Sequence, residues 1–184
     1  MHVLVIQSSP NTDGLTAACA SAAIKGIEAA GGTAENVRLT DLDLSSCRQC
    51  DDGWGGCRSE HVCDGIDDAF QSLHEAAIAA EALVMVTPVY WGDLSESHKC
   101  FTDRLRRCEA SLGAGSRLAG KPVLLVAAAG GGGGGMVSCL TNMERWAQHV
   151  RMQPADLIGI KRITREHKLD AIRAAGETMV RQNS

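Results

Sequence analysis

The sequence predicts an α/β fold: a doubly wound, five-stranded parallel sheet in the order 2-1-3-4-5, with helices on both faces. Three observations predict it. Five apolar or β-like runs, at residues 2–7, 33–39, 83–86, 122–128 and 155–160, alternate strictly with five helical patterns, as expected of repeated βα units. The second run, TAENVRL, is more polar than the others, which places that strand at an edge of the sheet. At 184 residues the chain is also too short for an eight-stranded barrel, and an edge position for strand 2 fits the 2-1-3-4-5 order.

The first run, from His2, has no basic segment before it and leads straight into a turn, so it reads as a strand and not as a signal peptide. A cytoplasmic location is the expectation. The first helix should run from Leu15 to Ala30 and stop at Gly31-Gly32. Ile66, Phe70, Leu73 and Ala77 recur at helical spacing and define the second. The run Leu83 to Val86 has no polar alternation, as in a strand buried on both faces, and Pro88 should end its pairing. Leu94, His98, Phe101, Leu105, Cys108 and Leu112 then alternate at spacings of four and three, the core stripe of a third helix. Asp93 and Glu96 resemble a capping box at its start. Met136, Leu140, Met143 and Val150 mark the fourth helix, and the last runs from about His167 to Arg181.

Composition narrows the function. Apolar residues make up 45% of the chain and charged residues 22%, which excludes a disordered or fibrous protein. No apolar run approaches the length of a membrane span. The net charge is −4 and the basic residues are scattered among acidic ones, so neither nucleic acid nor a membrane surface is an expected partner. The chain reads as one domain, residues 1–184, with a cysteine-rich insertion at about 45–65. In a reducing compartment its eight cysteines are thiols or ligands rather than a disulfide framework.

In a parallel sheet the loops that follow the strands leave on the same side, so SSPNTDGLT (8–16), TPVYWGDLS (87–95) and AGGGGGG (129–135) should converge. The first offers Ser8, Ser9 and Thr16 hydroxyls, Asn11, and the N-terminus of a helix, which together suit a phosphate. It lacks both the Walker lysine and the GxGxxG spacing, so it is neither a triphosphate P-loop nor a dinucleotide fingerprint. In the second, Tyr90 and Trp91 stand where the walls of a flat ring would be, and Gly92 allows a close backbone approach. The glycine run can offer backbone donors to a ligand edge, or serve simply as a flexible connection.

Together these segments resemble the flavodoxin-like NADPH-dependent FMN reductase family, near its iron-sulfur flavoprotein branch, over nearly the whole chain. The matching elements are SSPNTDGLT, the segment CRQCDDGWGGCRSEHVCDGIDD, TPVYWGDLS with KCFTDR after it, and the glycine run before ERW. The resemblance implies FMN, with Ser9, Asn11, Leu15 and Thr16 at its phosphate. Pro88, Val89, Tyr90, Trp91 and Gly92 would run along the isoalloxazine, with Gly130 and Gly131 at its other edge. Asn11 stands where many relatives carry arginine, leaving the phosphate to amides and hydroxyls. The implied chemistry is hydride transfer from NADPH or NADH to the flavin, then reduction of a small-molecule acceptor such as a flavin or quinone. No dedicated acid, base or nucleophile is needed, because the cofactor performs the reaction. Two other readings stay open: an electron-transfer flavoprotein with little NAD(P)H activity, and a flavin-free binding module. Related reductases imply a homodimer or homotetramer.

Cys47, Cys50, Cys57 and Cys63 read as C-x2-C-x6-C-x5-C. The cluster-binding branch usually places two residues between its second and third cysteines, where this chain has DDGWGG, so the motif is out of register. Structural thiols are the expectation and no metal ligand is assigned; an iron-sulfur cluster, a zinc ion or a redox dithiol stays open. Trp54 could cover the flavin or act as a hydrophobic lid. Cys19, Cys100, Cys108 and Cys139 should be small core residues. Lys99, Asp103 and Arg104 read as solvated structural charges, with Lys99 and Asp103 paired, and His98 as a core histidine.

Overall fold

In the computed structural model, which describes residues 1–183, five strands form one parallel sheet in the order β2-β1-β3-β4-β5. These are β1 (His2–Gln7), β2 (Thr33–Arg38), β3 (Ala82–Pro88), β4 (Pro122–Ala129) and β5 (Gln153–Lys161). The helices are α1 (Leu15–Ala29), α2 (Gly56–Ser59), α3 (Phe70–Ala79), α4 (Glu96–Glu109), α5 (Met136–His149) and α6 (Arg165–Gln182). Among the described residues none is long and apolar enough to cross a membrane.

The strand sequences explain the layering. Side chains alternate between faces, and the buried positions of β1, β3 and β4 are apolar except for Gln7 and Thr87 near the carboxyl edge, so each face of the sheet buries its own layer. Leu4, Ile6, Leu83, Met85, Val123 and Leu125 pack with α3, α4 and α5, whereas Val3, Val5, Val84, Val86, Leu124 and Val126 pack with α1 and α6. Each such side chain contributes about 1.5–3 kcal/mol by leaving water. Strand β2, with Thr33 and Glu35 in water, lies at the edge as its polarity requires. Glycine lets α1 and α6 approach closely: a Cβ on Gly26 would stand 2.0 Å from the Arg173 carbonyl oxygen.

Several element boundaries differ from the expectation. Ile66 is buried but precedes α3, because the chain there passes through Gly65 and Asp68, whose carboxylate accepts the Phe70 N–H at 3.0 Å. Leu94 likewise precedes α4, and Leu112 falls in a 3-10 stretch after it. The Asp93–Glu96 capping box does not form. Ser95 is the N-cap residue and makes no side-chain cap bond. The Asp93 carboxylate instead accepts the Leu94 N–H at 2.8 Å and the Asn142 amide at 3.1 Å, which ties the loop to α5. Helix α2, inside the cysteine segment, is a single turn and too short to leave a periodic pattern in the sequence.

Candidate functional site

The loops after β1, β3 and β4 meet at the carboxyl edge of the sheet. Direct bonds hold the first two together. Ser95 Oγ donates to Ser8 Oγ at 2.7 Å, Ser8 Oγ donates to Thr87 Oγ1 at 3.2 Å, and the Ser95 N–H donates to Thr87 Oγ1 at 3.0 Å. His98 Nδ1 stands 3.1 Å from Ser8 Oγ, while its Nε2 is buried without a partner. Desolvation brings the His98 pKa down to about 3, so the imidazole is neutral and adds no charge beneath the loop. The second loop binds the fourth strand through the Val89 N–H on the Ala128 carbonyl at 3.0 Å. Its Gly92 lies so near Gly135 that a Cβ on Gly135 would approach the Gly92 Cα to 2.5 Å.

The first loop shapes itself. The Asn11 N–H donates to Ser9 Oγ and the Asp13 N–H to Asn11 Oδ1, each at 3.2 Å. Asn11 therefore commits its acceptor to an Asx turn. Helix α1 starts at Leu15 behind Gly14, with no side-chain cap and no acidic residue in its first turn. Its leading N–H groups and positive dipole end are thus left for an anion. Ser9 and Thr16 are buried at this end, and Leu15 is half-buried.

Beside the loop lies a cleft of about 320 Å³ lined by Ser8, Pro10, Thr40, Leu44, Ser46, Tyr90, Ser95 and Cys100, among others. A second cleft of about 340 Å³ continues from it past Tyr90 and Cys100 to Cys47, Leu94, Lys99 and Asp103. Tyr90, 49% exposed, is the aromatic wall of both. Trp91 is not one. It sits at the tip of a turn closed by paired Tyr90 and Asp93 backbone bonds of 3.0 Å, has φ 52°, and is fully exposed. The two ring walls expected from the sequence reduce to one. Pro88 is buried as the last residue of β3, and Gly130 and Gly131 are exposed with nothing near a would-be Cβ. Neither glycine lines these clefts. Thr40, Leu44 and Ser46 are not expected from the sequence: Thr40 lies in a short 3-10 turn after β2 and the other two in irregular chain beyond it, where no periodicity marks them.

The four cysteines, out of register in sequence, line one narrow cavity with Arg48, Ile66, Arg104 and Arg107. Residues 51–56, DDGWGG, loop out over α4. Arg107 Nη2 donates to the Gly53 carbonyl, and its guanidinium lies 4.0 Å over the Trp54 ring, which Arg58 flanks at 5.7 Å. Trp54 therefore packs on Arg107, which lines this cavity, and lines neither of the clefts beside the first loop. The backbone bends around Cys50: Gln49 and Asp51 both have positive φ, 51° and 53°. A Cβ on Gly65 would stand 2.4 Å from Cys50 Sγ. Among the described residues no three His, Cys, Asp or Glu side chains gather to chelate one ion. A four-iron cluster asks for a wider spread than a single ion, with one thiolate on each iron.

Arg104 is not a solvated charge. Its side chain and that of Asp68 are 0% and 1% exposed and meet at 2.6 Å. Arg104 also donates to the Ser45 carbonyl at 3.1 Å and from Nε to Cys63 Sγ at 3.3 Å, and lies 4.2 Å over Phe70. Burial raises the Cys63 pKa and outweighs the opposing pull of Arg104. Lys99 and Asp103 do pair, at 2.6 Å, and His98 is buried in the core. Cys100 is a core residue that reaches the cleft, its Sγ 3.2 Å from Ser46 Oγ. Cys19, Cys108 and Cys139 are buried, and desolvation pushes their thiols up to about 12. The Cys139 thiol, on α5, owes its shift first to burial and then to the nearby Asp93.

A parallel sheet in this order, with helices on both faces and its loops gathered at the carboxyl edge, defines a flavodoxin-like fold. Residues 1–157 match the profile of the NADPH-dependent FMN reductase family. The chain belongs to that family. It is 29% identical over 120 residues to an iron-sulfur flavoprotein of Methanocaldococcus jannaschii, covering 65% of this chain and 60% of that protein. An iron-sulfur flavoprotein of Methanosarcina thermophila is 26% identical over 104 residues, covering 56% and 52%. The chain thus aligns with little more than half the length of these curated relatives. In fold it is similar to an NAD(P)H:quinone oxidoreductase from Methanothermobacter marburgensis, with a TM-score of 0.78 at 19% identity, covering 97% of this chain and 96% of that one. An archaeal flavodoxin superposes with a TM-score of 0.66 at 15% identity, covering 99% and 98%.

Proposed function

We propose that this protein is an FMN-dependent oxidoreductase that takes electrons from NADPH or NADH and passes them to a small-molecule acceptor such as a flavin or quinone. The observation that carries this reading is the uncapped start of α1, reached through a loop whose Ser8 and Pro10 line a cleft walled by Tyr90. Ser9, Asn11, Leu15 and Thr16 would hold the phosphate through hydroxyls, an amide and helix N–H groups, with the dipole in place of a basic side chain. Pro88, Val89, Tyr90 and Gly92 would flank the ring, and Gly130 and Gly131 would supply backbone to its far edge. Trp91 joins them only if a second copy of the chain brings it over the cleft. When bound, FMN supplies the redox chemistry, accepting hydride and releasing electrons. The protein positions it and keeps the buried Ser8, Thr87, Ser95 and His98 set neutral beneath it. A cytoplasmic homodimer or homotetramer is part of the same reading.

Fluorescence titration with FMN, followed by rapid mixing of the loaded protein with NADPH or NADH, tests this. Tight uptake and fast bleaching of the flavin are expected. A protein that takes up no FMN would overturn the proposal.

One observation favours a second reading, an electron-transfer flavoprotein with an iron-sulfur cluster. Cys47 lines both the cysteine cavity and the second cleft, so the two sites share a wall. The donor set fits: four cysteines face one cavity, and Arg104 Nη2 and Arg107 Nε are buried there without partners. The free space now between them, about 10 Å³, is smaller than a cluster, so the 51–56 loop has to ease outward to admit one. A cluster held by Cys47, Cys50, Cys57 and Cys63 would supply single-electron transfer. Slow bleaching by both nicotinamides, together with bound iron and acid-labile sulfide, is the result that selects this reading.

A further inference from the structure

Helix α4 presents Arg104 and Arg107, three residues apart and therefore neighbours on its surface, to the cysteine cavity. Their partners differ. Arg104 has its charge offset by Asp68 at 2.6 Å, yet it also donates from Nε to Cys63 Sγ at 3.3 Å. Arg107 donates to the Gly53 carbonyl and stacks on Trp54. It forms no ion pair with an acidic side chain among the described residues. Each guanidinium keeps one buried nitrogen with no acceptor, Nη2 of Arg104 and Nε of Arg107. Buried donors normally find acceptors, and sulfur is the acceptor this cavity offers.

We propose that Arg104 and Arg107 raise the reduction potential of an iron-sulfur cluster held by Cys47, Cys50, Cys57 and Cys63, by directing N–H groups and positive charge at its sulfurs. The inference rests on the second reading above. Reduction adds a negative charge to a cluster, and donors or cations beside the sulfurs stabilise that form. Arg107 has the larger effect because no carboxylate cancels its charge. Arg104 acts mainly through its bond to the Cys63 sulfur.

The test uses the full chain, loaded with FMN and reconstituted without oxygen from ferrous iron and sulfide. Iron, sulfide and FMN are counted first, and the cluster is then titrated against potential by electron paramagnetic resonance. Arg107→Gln is expected to take up wild-type amounts of all three. At a fixed potential its reduced-to-oxidised ratio should fall at least tenfold, about 59 mV for one electron. Arg107→Lys should recover most of that shift. Arg104→Lys should give a smaller shift of the same sign; if it does not fold, Arg107→Gln carries the test. A fully loaded Arg107→Gln protein with the wild-type potential overturns this inference and leaves the cluster reading standing. A wild-type chain that takes up no iron or sulfide overturns both, and does so before any potential is measured.

Discussion

The two regions that meet along α4 solve the burial of polar groups in opposite ways. Near its start, Ser8, Thr87, Ser95 and a neutral His98 bond to one another, and no charge is buried. About two turns further along, the charged Arg104 is buried against Asp68, with one nitrogen on a sulfur and another unpaired. The neutral cluster fixes the shape of two loops and leaves only the uncharged His98 Nε2 without a partner. The charged one holds donors in reserve beside four thiols, an arrangement whose cost makes sense where something negative is to be held. Ser97, Cys100, Arg104 and Arg107 follow one another at spacings of three, four and three, so a single face of α4 runs from the cleft to the cysteine cavity.

The largest effect that separates the two regions is on stability. Arg104→Leu leaves Asp68 buried without its cation, which costs about 3–5 kcal/mol; chemical denaturation should show it. Arg104→Leu with Asp68→Leu should recover part of that loss, because no lone charge is left behind. In the neutral cluster Ser95→Ala should cost less, about 1–3 kcal/mol, since it strands only hydroxyl partners. If the serine variant proves the more damaging, the contrast drawn between the regions is wrong.

A pH series sharpens the same contrast, because ion pairs titrate and hydroxyl clusters do not. Glu109 is buried with His74 at 2.8 Å and receives the Arg117 N–H at 2.8 Å. Burial alone pushes its pKa up, but the bonds from His74 and Arg117 outweigh that and bring it down to about 2. A carboxylate depressed in this way stabilises the fold above its ordinary range and loses that stabilisation as pH falls through its folded value. Thermal stability should therefore decline from pH 4.5 toward about pH 2. Glu109→Gln should be less stable than wild type at neutral pH, and the gap should close over that window. A gap that does not change with pH would mean that Glu109 is not held ionised.

Much of this was open to reading in the chain, and the exceptions share a cause. The apolar runs and the polar second strand led to the sheet order because burial on one or two faces is written directly into residue pattern. The convergence of the loops followed from parallel topology. Helix starts were less legible: Asp93 has capping chemistry, but Asn142 on α5 draws its carboxylate away, and nothing local announces that. The cysteines converge because residues 51–56 bulge over Arg107, which bonds Gly53 and stacks on Trp54, a contact between segments some fifty residues apart in sequence. Arg104 lay on a visible helical stripe, yet a charge on a helix is usually solvated, and only Asp68 made its burial possible. Thr40 lies in a three-residue 3-10 turn and Leu44 and Ser46 in irregular chain, where periodicity carries no information.

The smallest effects bear on the loop that looked most aromatic. Tyr90→Ala should weaken FMN binding more than tenfold, about 1.4 kcal/mol, because Tyr90 walls both clefts. Trp91→Ala should change affinity less than about twofold and stability by less than about 0.5 kcal/mol, because the indole is fully exposed and makes no wall within one chain. Fluorescence titration of the two variants, each repeated across protein concentration, separates the local role of the turn from a role in assembly. Equal and concentration-independent losses would place both rings at the flavin and contradict the geometry of this turn. If Trp91→Ala instead weakens binding only at concentrations where the wild type self-associates, then the indole acts on the cleft of a second copy. The turn would then serve two chains, with Tyr90 on its own cleft and Trp91 on its partner's.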